Sequence, residues 1–416
     1  MDKKKIIISH PTGNMNVRVA LHALKEADML DSFHTSVACF KGSLCYNLAE
    51  FFLFNELRRR MFDIELRPYT HTYPFMELGR NLAIKLHLSN LLRHETGIFC
   101  IDRVYKNIDK YVSIYIKKNY KQADAVYTYE DCALETFKMA KKNGLICFYD
   151  LPTGYWRAKQ SLLEYERANN PKWAVTLNAL SDSEVKLYNK DAELSMADKI
   201  FVASTFTKKT LKQYSNTLSD IKVIPYGFPI ININRHYKSF NGRKIKALFV
   251  GGLSQQKGLS YLFDAVREFK DKIELTVVGR GDISHCPALK YALNDINYIP
   301  SLAHTEILKL MSESDVFVFP SLFDGFGLVI TEAMSQGTPV ITTERTCGPD
   351  IIINGQNGWI VKAGKSDPIK ILFAKFIESP ELLQHVGRAA MATAAQRPWM
   401  KYETDLIKSV NDYIYE

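Results

Sequence analysis

The stretch that most constrains the fold is Val316-Phe-Val-Phe-Pro-Ser-Leu-Phe-Asp-Gly-Phe-Gly-Leu-Val-Ile-Thr-Glu-Ala-Met-Ser-Gln-Gly-Thr-Pro-Val-Ile-Thr-Thr343. The apolar run from Val316 to Phe319 is too short for a buried helix and reads as a strand. A glycine loop follows, then a helical pattern from Leu328 to Gln336 and a second strand from Val340 to Thr343. That order is one unit of a parallel α/β sheet. Gly325 and Gly327 remove side chains where the backbone enters the helix, which leaves N–H groups and the positive end of the helix dipole for an anion. Asp324 and Glu332 bracket the loop. A carboxylate repels phosphate but accepts hydrogen bonds from hydroxyls beside it. A phosphate with hydroxyl-rich groups on both sides is the outline of a nucleotide sugar.

The same rhythm recurs along the chain. Ala247–Val250, Leu275–Val278, Val316–Phe319 and Val340–Thr343 each carry a small loop at the C-terminal end, all on one edge of a parallel sheet. Lys257 lies in the first of these loops, Gly251-Gly-Leu-Ser-Gln-Gln-Lys-Gly258, and is the best candidate for a cation that stabilises a leaving diphosphate. Tyr226 to Gly242 has little periodicity and several breakers, so it reads as a linker. With 416 residues the chain exceeds the size at which one core keeps growing. We therefore expect an N-terminal domain over 1–225, a linker over 226–243 and a C-terminal domain over 244–398.

In the first domain, Ile6–Ile8, Ala125–Thr128, Ile146–Tyr149, Ala197–Ser204 and Lys222–Ile224 read as strands. Gly13, Asn16 and Arg18 follow the first of them; they either contact ligand or only turn and cap the chain. Asp150, Tyr155, Trp156 and Arg157 lie at the C-terminal end of a strand, the edge where open α/β sheets bind ligands. Leu44, Leu48, Phe51, Phe52, Phe54 and Leu57 recur at helical spacing before Arg58-Arg-Arg60. Such a segment either lies on an anionic membrane surface or faces the core with a basic last turn.

Charge is divided unevenly. Residues 1–240 hold 35 Lys+Arg against 25 Asp+Glu, whereas 241–416 hold 19 against 20. The basic first half suggests an anionic acceptor or membrane surface. Aromatic and basic residues interleave at Tyr111–Tyr120, but without a nucleic-acid-binding motif we assign no nucleic acid. The charge-free stretches are too short to span a bilayer, and the apolar segment after Met1-Asp-Lys-Lys-Lys5 is too short for a signal peptide, so a cytoplasmic protein is expected. Seven cysteines without a C-x-x-C pair read as reduced, mostly buried thiols. Gly279-Arg-Gly-Asp-Ile-Ser284 misses the third glycine of a dinucleotide fingerprint. No D-x-D, H-E-x-x-H or Walker lysine motif occurs, so no metal or cofactor is implied.

The 316–343 block resembles the retaining family 4 glycosyltransferases, as do Gly251–Gly258, Val278-Gly-Arg-Gly281 and Asn354-Gly-Gln-Asn-Gly-Trp-Ile-Val361. The members that build bacterial surface polysaccharides are the most similar. The resemblance implies the GT-B fold, two Rossmann-like α/β/α domains facing each other across a cleft, with a C-terminal helix over 399–416 crossing back to the first domain. It implies a UDP- or GDP-sugar donor, and a glycan or polyprenyl-diphosphate-linked acceptor at the inner membrane face. By the same resemblance Glu332 holds the nucleotide ribose, Lys257 the diphosphate and Asp324 the donor sugar. Backbone N–H groups of Phe326, Gly327, Leu328 and Val329 cradle the donor. This sequence departs from the family at three places. Asp324 replaces a glutamate. Gly252 replaces a phosphate-binding arginine, for which Arg280 is the candidate substitute. A histidine of the first domain is missing, with Asp150, Tyr149 or His10 as candidates for its role. A GT-B epimerase or hydrolase, or a non-catalytic nucleotide-sugar-binding subunit, are the alternative functions.

Overall fold

The computed structural model describes residues 3–43, 45–47, 55–177 and 181–415. Seven strands form the first sheet: β1 (Ile6–Ser9), β2 (Leu30–Thr35), β3 (Thr70–Thr72), β4 (Ala125–Tyr129), β5 (Ile146–Leu151), β6 (Lys199–Val202) and β7 (Asp220–Val223). Their order is β3-β2-β1-β4-β5-β6-β7, and every pairing is parallel. The second sheet holds β8 (Ile245–Val250), β9 (Ile273–Val278), β10 (Asn297–Ile299), β11 (Val316–Phe319), β12 (Val340–Thr343) and β13 (Trp359–Val361). Its order is β10-β9-β8-β11-β12-β13, again parallel throughout.

Both orders step outward from a central strand and then reverse. In such sheets the loops at the C-terminal ends diverge at the switch point and leave a ligand crevice. Central strands are buried on both faces, which is why β11 reads as an unbroken apolar run and β4 and β12 admit only threonine beside their apolar and aromatic residues. Two edge strands, β3 and β10, are only three residues long and show no period in the sequence.

The linker packs along the second domain. Tyr237 donates from its hydroxyl to Gly337 O at 3.0 Å, and the Arg243 guanidinium grips both oxygens of Asp315 at 2.6 and 2.8 Å. The chain then returns. Phe228 N donates to Arg397 O at 2.9 Å, a Cβ on Gly227 would lie 2.3 Å from the Trp399 backbone, and the helix Trp399–Ile414 packs on the helix Met15–Glu26 of the first domain.

Much of the amphipathic segment expected over 44–62 lies outside the described residues, including Leu44, Leu48, Phe51, Phe52 and Phe54. Within the described part, Asn55–Arg58 forms one helical turn, and Leu57 is buried beside Val37 and Cys39. Arg60 turns inward to the Thr12 carbonyl and Glu77, so it is no part of a solvent-facing basic turn. Cys39 and Cys45 are joined as a disulfide, against the expectation of thiols throughout; the other five cysteines are free and buried.

Candidate active site

The glycine loop after β11 is shaped by backbone conformation. Gly327 adopts φ +85°, a left-handed conformation that β-carbons disfavour, and from it the helix Leu328–Ser335 begins. The first N–H groups of that helix have no partner within it. Phe326 N–H is directed at Asp324 Oδ1, a long 3.4 Å, and the Phe326 ring is buried against Tyr226. The half-buried Gly327, Leu328 and Val329 are therefore the part of the loop and helix start left open. Lys257 Nζ donates to Asp324 Oδ2 at 2.5 Å, with both side chains mostly shielded from solvent. Lys257 is held in position by its own N–H, which donates to Ser254 O at 2.9 Å, and by the left-handed Gly258 that follows it. Two residues chosen separately from the sequence thus form one charged pair.

This loop meets the first domain directly. The Gly325 carbonyl accepts from Ser204 Oγ at 2.5 Å and Thr207 Oγ1 at 3.0 Å. A Cβ on Gly325 would lie 2.0 Å from Pro152 O, and one on Gly154 would lie 2.3 Å from the Phe323 ring, so both glycines permit the close approach. Asp350 accepts from Thr205 N at 3.0 Å. Farther along, Glu166 accepts from Gln255 Nε2 at 2.7 Å and from the Tyr261 hydroxyl at 2.9 Å. The cleft is lined on one wall by the loops after β5 and β6, and on the other by the loops after β8 and β11.

Residues 231–393 match the family model described as Glycosyl transferases group 1. An uncharacterized glycosyltransferase of Methanocaldococcus jannaschii is 26% identical over 208 residues, 49% of this chain and 57% of that relative. The chain spans about half the length of the curated relatives it matches. Among solved structures, sucrose-phosphate synthase of Thermosynechococcus elongatus superposes with a TM-score of 0.67 at 16% identity, over 99% of this chain and 100% of that one. HepE of Anabaena, solved in complex with UDP-glucose, superposes at 0.61 with 16% identity, over 98% and 100%. The fold is GT-B. Its second domain carries the group 1 match.

In the GT-B cleft the remaining candidates separate. Glu332 lies on the helix after Gly327 and is half-buried; its Oε1 is 3.1 Å from His304 Nε2. That hydrogen bond raises the His304 pKa above 6.5. His304 opens the helix His304–Glu313, and nothing in its local sequence marks it out. Gly252 is exposed, and a Cβ there would meet nothing within 4 Å, so the place of the missing arginine is open space. Arg280 is exposed on the neighbouring loop after β9, where its carbonyl accepts from Leu253 N at 2.8 Å. Gly13 sits at φ +63°, spends its N–H on His10 Nδ1 at 3.0 Å, and is covered by the Phe62 ring. Burial, with Arg60 nearby, pushes the His10 pKa down to about 3, so the ring is neutral.

Asp150 lies on β5 itself rather than in the loop. It is 3% exposed and accepts from the Tyr127 hydroxyl at 2.7 Å, and burial pushes its pKa up to about 7. Tyr149 is likewise buried, donating to Glu193 Oε2 at 3.0 Å. Tyr155 and Trp156 both donate to Asp191 Oδ1 at 2.7 Å, and Arg157 pairs with Asp191 Oδ2 at 2.8 Å. Among the described residues His94, Glu95 and Asp182 are the one group close enough together to hold a metal ion. They are already bonded otherwise: Lys186 binds Asp182 at 3.0 Å, and Glu95 accepts from Ser183 N at 2.7 Å.

Proposed function

We propose that this chain is a retaining, metal-independent glycosyltransferase of the family 4 kind, moving a sugar from a nucleotide diphosphate to a glycan or lipid-linked glycan in surface polysaccharide synthesis. The Lys257–Asp324 pair beside the open N-terminus of the Leu328–Ser335 helix carries this reading. A lysine ammonium has three donors, so Lys257 can keep Asp324 and still donate to a phosphate oxygen. The helix N–H groups supply the rest of the anion site. Glu332, farther along the same helix, suits the ribose hydroxyls, and Asp324 suits a hydroxyl of the sugar.

The bond from the anomeric carbon to the diphosphate oxygen breaks as charge builds on that oxygen. Lys257 and the helix N–H groups stabilise the charge, the term that usually dominates such steps. The acceptor oxygen bonds the same carbon on the same face, and its proton passes to the departing diphosphate oxygen. No protein nucleophile is required. Asp150, buried on β5 and bonded to the Tyr127 hydroxyl, is given no step in this scheme.

UDP-glucose is the first donor to test, since HepE, which shares the fold, was solved with it. A thermal-shift panel of UDP- and GDP-sugars should raise Tm for one base and one sugar, because a ligand bound only by the native state stabilises it. Product analysis with an acceptor panel should then give a retained anomeric configuration in EDTA. Stabilisation by no nucleotide sugar refutes the reading. Donor hydrolysis or epimerisation without acceptor favours the other GT-B enzymes, and donor binding without turnover favours a non-catalytic subunit.

A further inference from the structure

The loop that carries Lys257 is gripped from the far wall of the cleft. Gln255, two residues before the lysine, is fully buried. Its Nε2 donates to Glu166 Oε1 at 2.7 Å, and its backbone N–H donates to Thr176 Oγ1 at 2.9 Å. Ser254 Oγ donates to the Thr176 carbonyl at 2.6 Å, and Ser254 O in turn takes the Lys257 N–H at 2.9 Å. Glu166 lies on the helix Trp156–Asn169 and Thr176 ends the turn Pro171–Thr176, both between β5 and β6 of the first sheet. Within its own domain, among the described residues, the Gln255 side chain bonds only to Ser260.

Glu166 is 4% exposed. Among the described residues its donors are all neutral: Gln255, the Tyr261 hydroxyl at 2.9 Å and Asn170 Nδ2 at 2.7 Å. A buried carboxylate is costly unless donors surround it, and it holds them about twice as strongly as a neutral acceptor does. Gln255 and Tyr261 both belong to the second domain, so this strong acceptor of the first domain is directed at the segment that presents Lys257. A carboxylate repels a diphosphate, so Glu166 can serve that anion only through what it holds. The other half of the charged pair is held in the same manner, since Ser204 and Thr207 grip the Gly325 carbonyl beside Asp324. Lys257 and Asp324 are thus anchored separately from the first domain.

We propose that Glu166, with Thr176, is a positioning residue for the diphosphate site: it places the loop after β8, so that the Lys257 ammonium stands correctly only while the two domains are in contact. This rests on the reading of Lys257 as the diphosphate-binding cation and adds a condition to it. Separation of the domains would remove three hydrogen bonds from Ser254 and Gln255 at once. A loop so released spreads its lysine over many positions, and the entropy of that freedom opposes anion binding. Charge stabilisation of the leaving group is then withheld until the opposite wall of the cleft is in place.

Calorimetry with inorganic pyrophosphate on the full chain tests it, with hydrogen exchange of the 254–258 amides as a readout that needs no ligand. Glu166→Ala should weaken pyrophosphate binding about tenfold, the loss of a hydrogen bond to a charged group. The same change should speed exchange at Lys257 and Gly258, whose N–H groups close this turn. Glu166→Gln keeps an acceptor for Gln255 without the charge and should stay within about twofold of wild type in both measurements. Loss of the negative charge by itself strengthens anion binding, so tighter binding by Glu166→Ala makes Glu166 a mere distant charge and overturns the proposal. Tyr261→Phe removes one donor to Glu166 and keeps the ring; it should weaken binding about threefold. Should Glu166→Ala not fold, Tyr261→Phe decides alone, and wild-type binding and exchange in it overturn the proposal. Lys257→Ala should weaken pyrophosphate at least about tenfold, and adding Glu166→Ala should then cost nothing more, because no lysine is left to misplace. An equal further loss in both backgrounds marks general loosening and also overturns it. If Lys257→Ala weakens binding while Glu166→Ala leaves binding and exchange as in wild type, this proposal falls and the transferase reading stands. If pyrophosphate fails to bind the wild-type chain, or binds Lys257→Ala equally well, the Lys257 assignment of that reading falls and takes this proposal with it.

Discussion

Lys257 and Asp324, sixty-seven positions apart, are bonded at 2.5 Å across the mouth of the glycine loop after β11. In the proposed scheme the aspartate fixes the ammonium assigned to the diphosphate, and the ammonium fixes the carboxylate assigned to the sugar. Lys257→Ala should weaken donor binding by about 1.5–3 kcal/mol, the range for a charge-assisted hydrogen bond. Asp324→Asn keeps the shape and should lower turnover more than affinity. Calorimetry and steady-state kinetics check both; an equal fall in binding and turnover for Asp324→Asn would make it a ground-state contact.

Glu332→Ala removes the proposed acceptor of the ribose hydroxyls and should cost roughly 2–3 kcal/mol of donor affinity. The same change releases His304, whose pKa is raised by Glu332, so its NMR titration should fall towards 6.5. The His304 contribution to stability is present below that value and is lost as pH rises through the raised one. Unchanged donor affinity in Glu332→Ala removes the ribose assignment.

Gly325→Ala places a methyl 2.0 Å from the Pro152 carbonyl, where both backbones are fixed. The loop and the first domain must separate. Stability should fall by about 1–3 kcal/mol, as for other overpacked sites, and activity should fall with it. Denaturant unfolding checks the first and transfer assays the second.

Asp150 keeps its proton in the folded chain up to about pH 7, whereas the unfolded group ionises near 3.8. Between those values the native state binds the extra proton, so stability falls as pH rises. The full loss is roughly 4 kcal/mol by pH 8. Asp150→Asn should flatten this slope and be the more stable protein at pH 8, measured by urea unfolding across pH.

The sequence carried much of the second domain. Strands β11 and β12 have the bounds their apolar runs imply, and the helix at Leu328 starts where Gly327 leaves off. The GT-B expectation holds because central parallel strands and glycine turns are local signals. The arginines that line one pocket of the first domain, behind the loop after β1, were not legible as a group. They come from residues 18, 58–60 and 80, and only the packing of three separate segments brings them together. His304 meets Glu332 across the gap between two helices, a contact no spacing rule encodes. Asp150 looked like a loop residue because its burial under Tyr127 depends on its strand's neighbours. The helix Phe75–Lys85 buries Glu77 and exposes Phe75, and only the structure reveals which side faces inward.

The return of the chain at Gly227 and Trp399 has a mechanical meaning. The outgoing crossing at Pro225–Phe228 and the returning one at Arg397–Trp399 run side by side, tied by Phe228 N to Arg397 O and by the Arg397 guanidinium to Pro225 O. Two adjacent crossings behave as a single axle. A rotation about that line would carry Gly325 away from Pro152 and leave Gly227 almost in place. The Tyr226 ring, packed at once on Phe326, Trp399 and Tyr402, connects the axle to the glycine loop after β11, so a change in the angle of the domains would be felt at that loop.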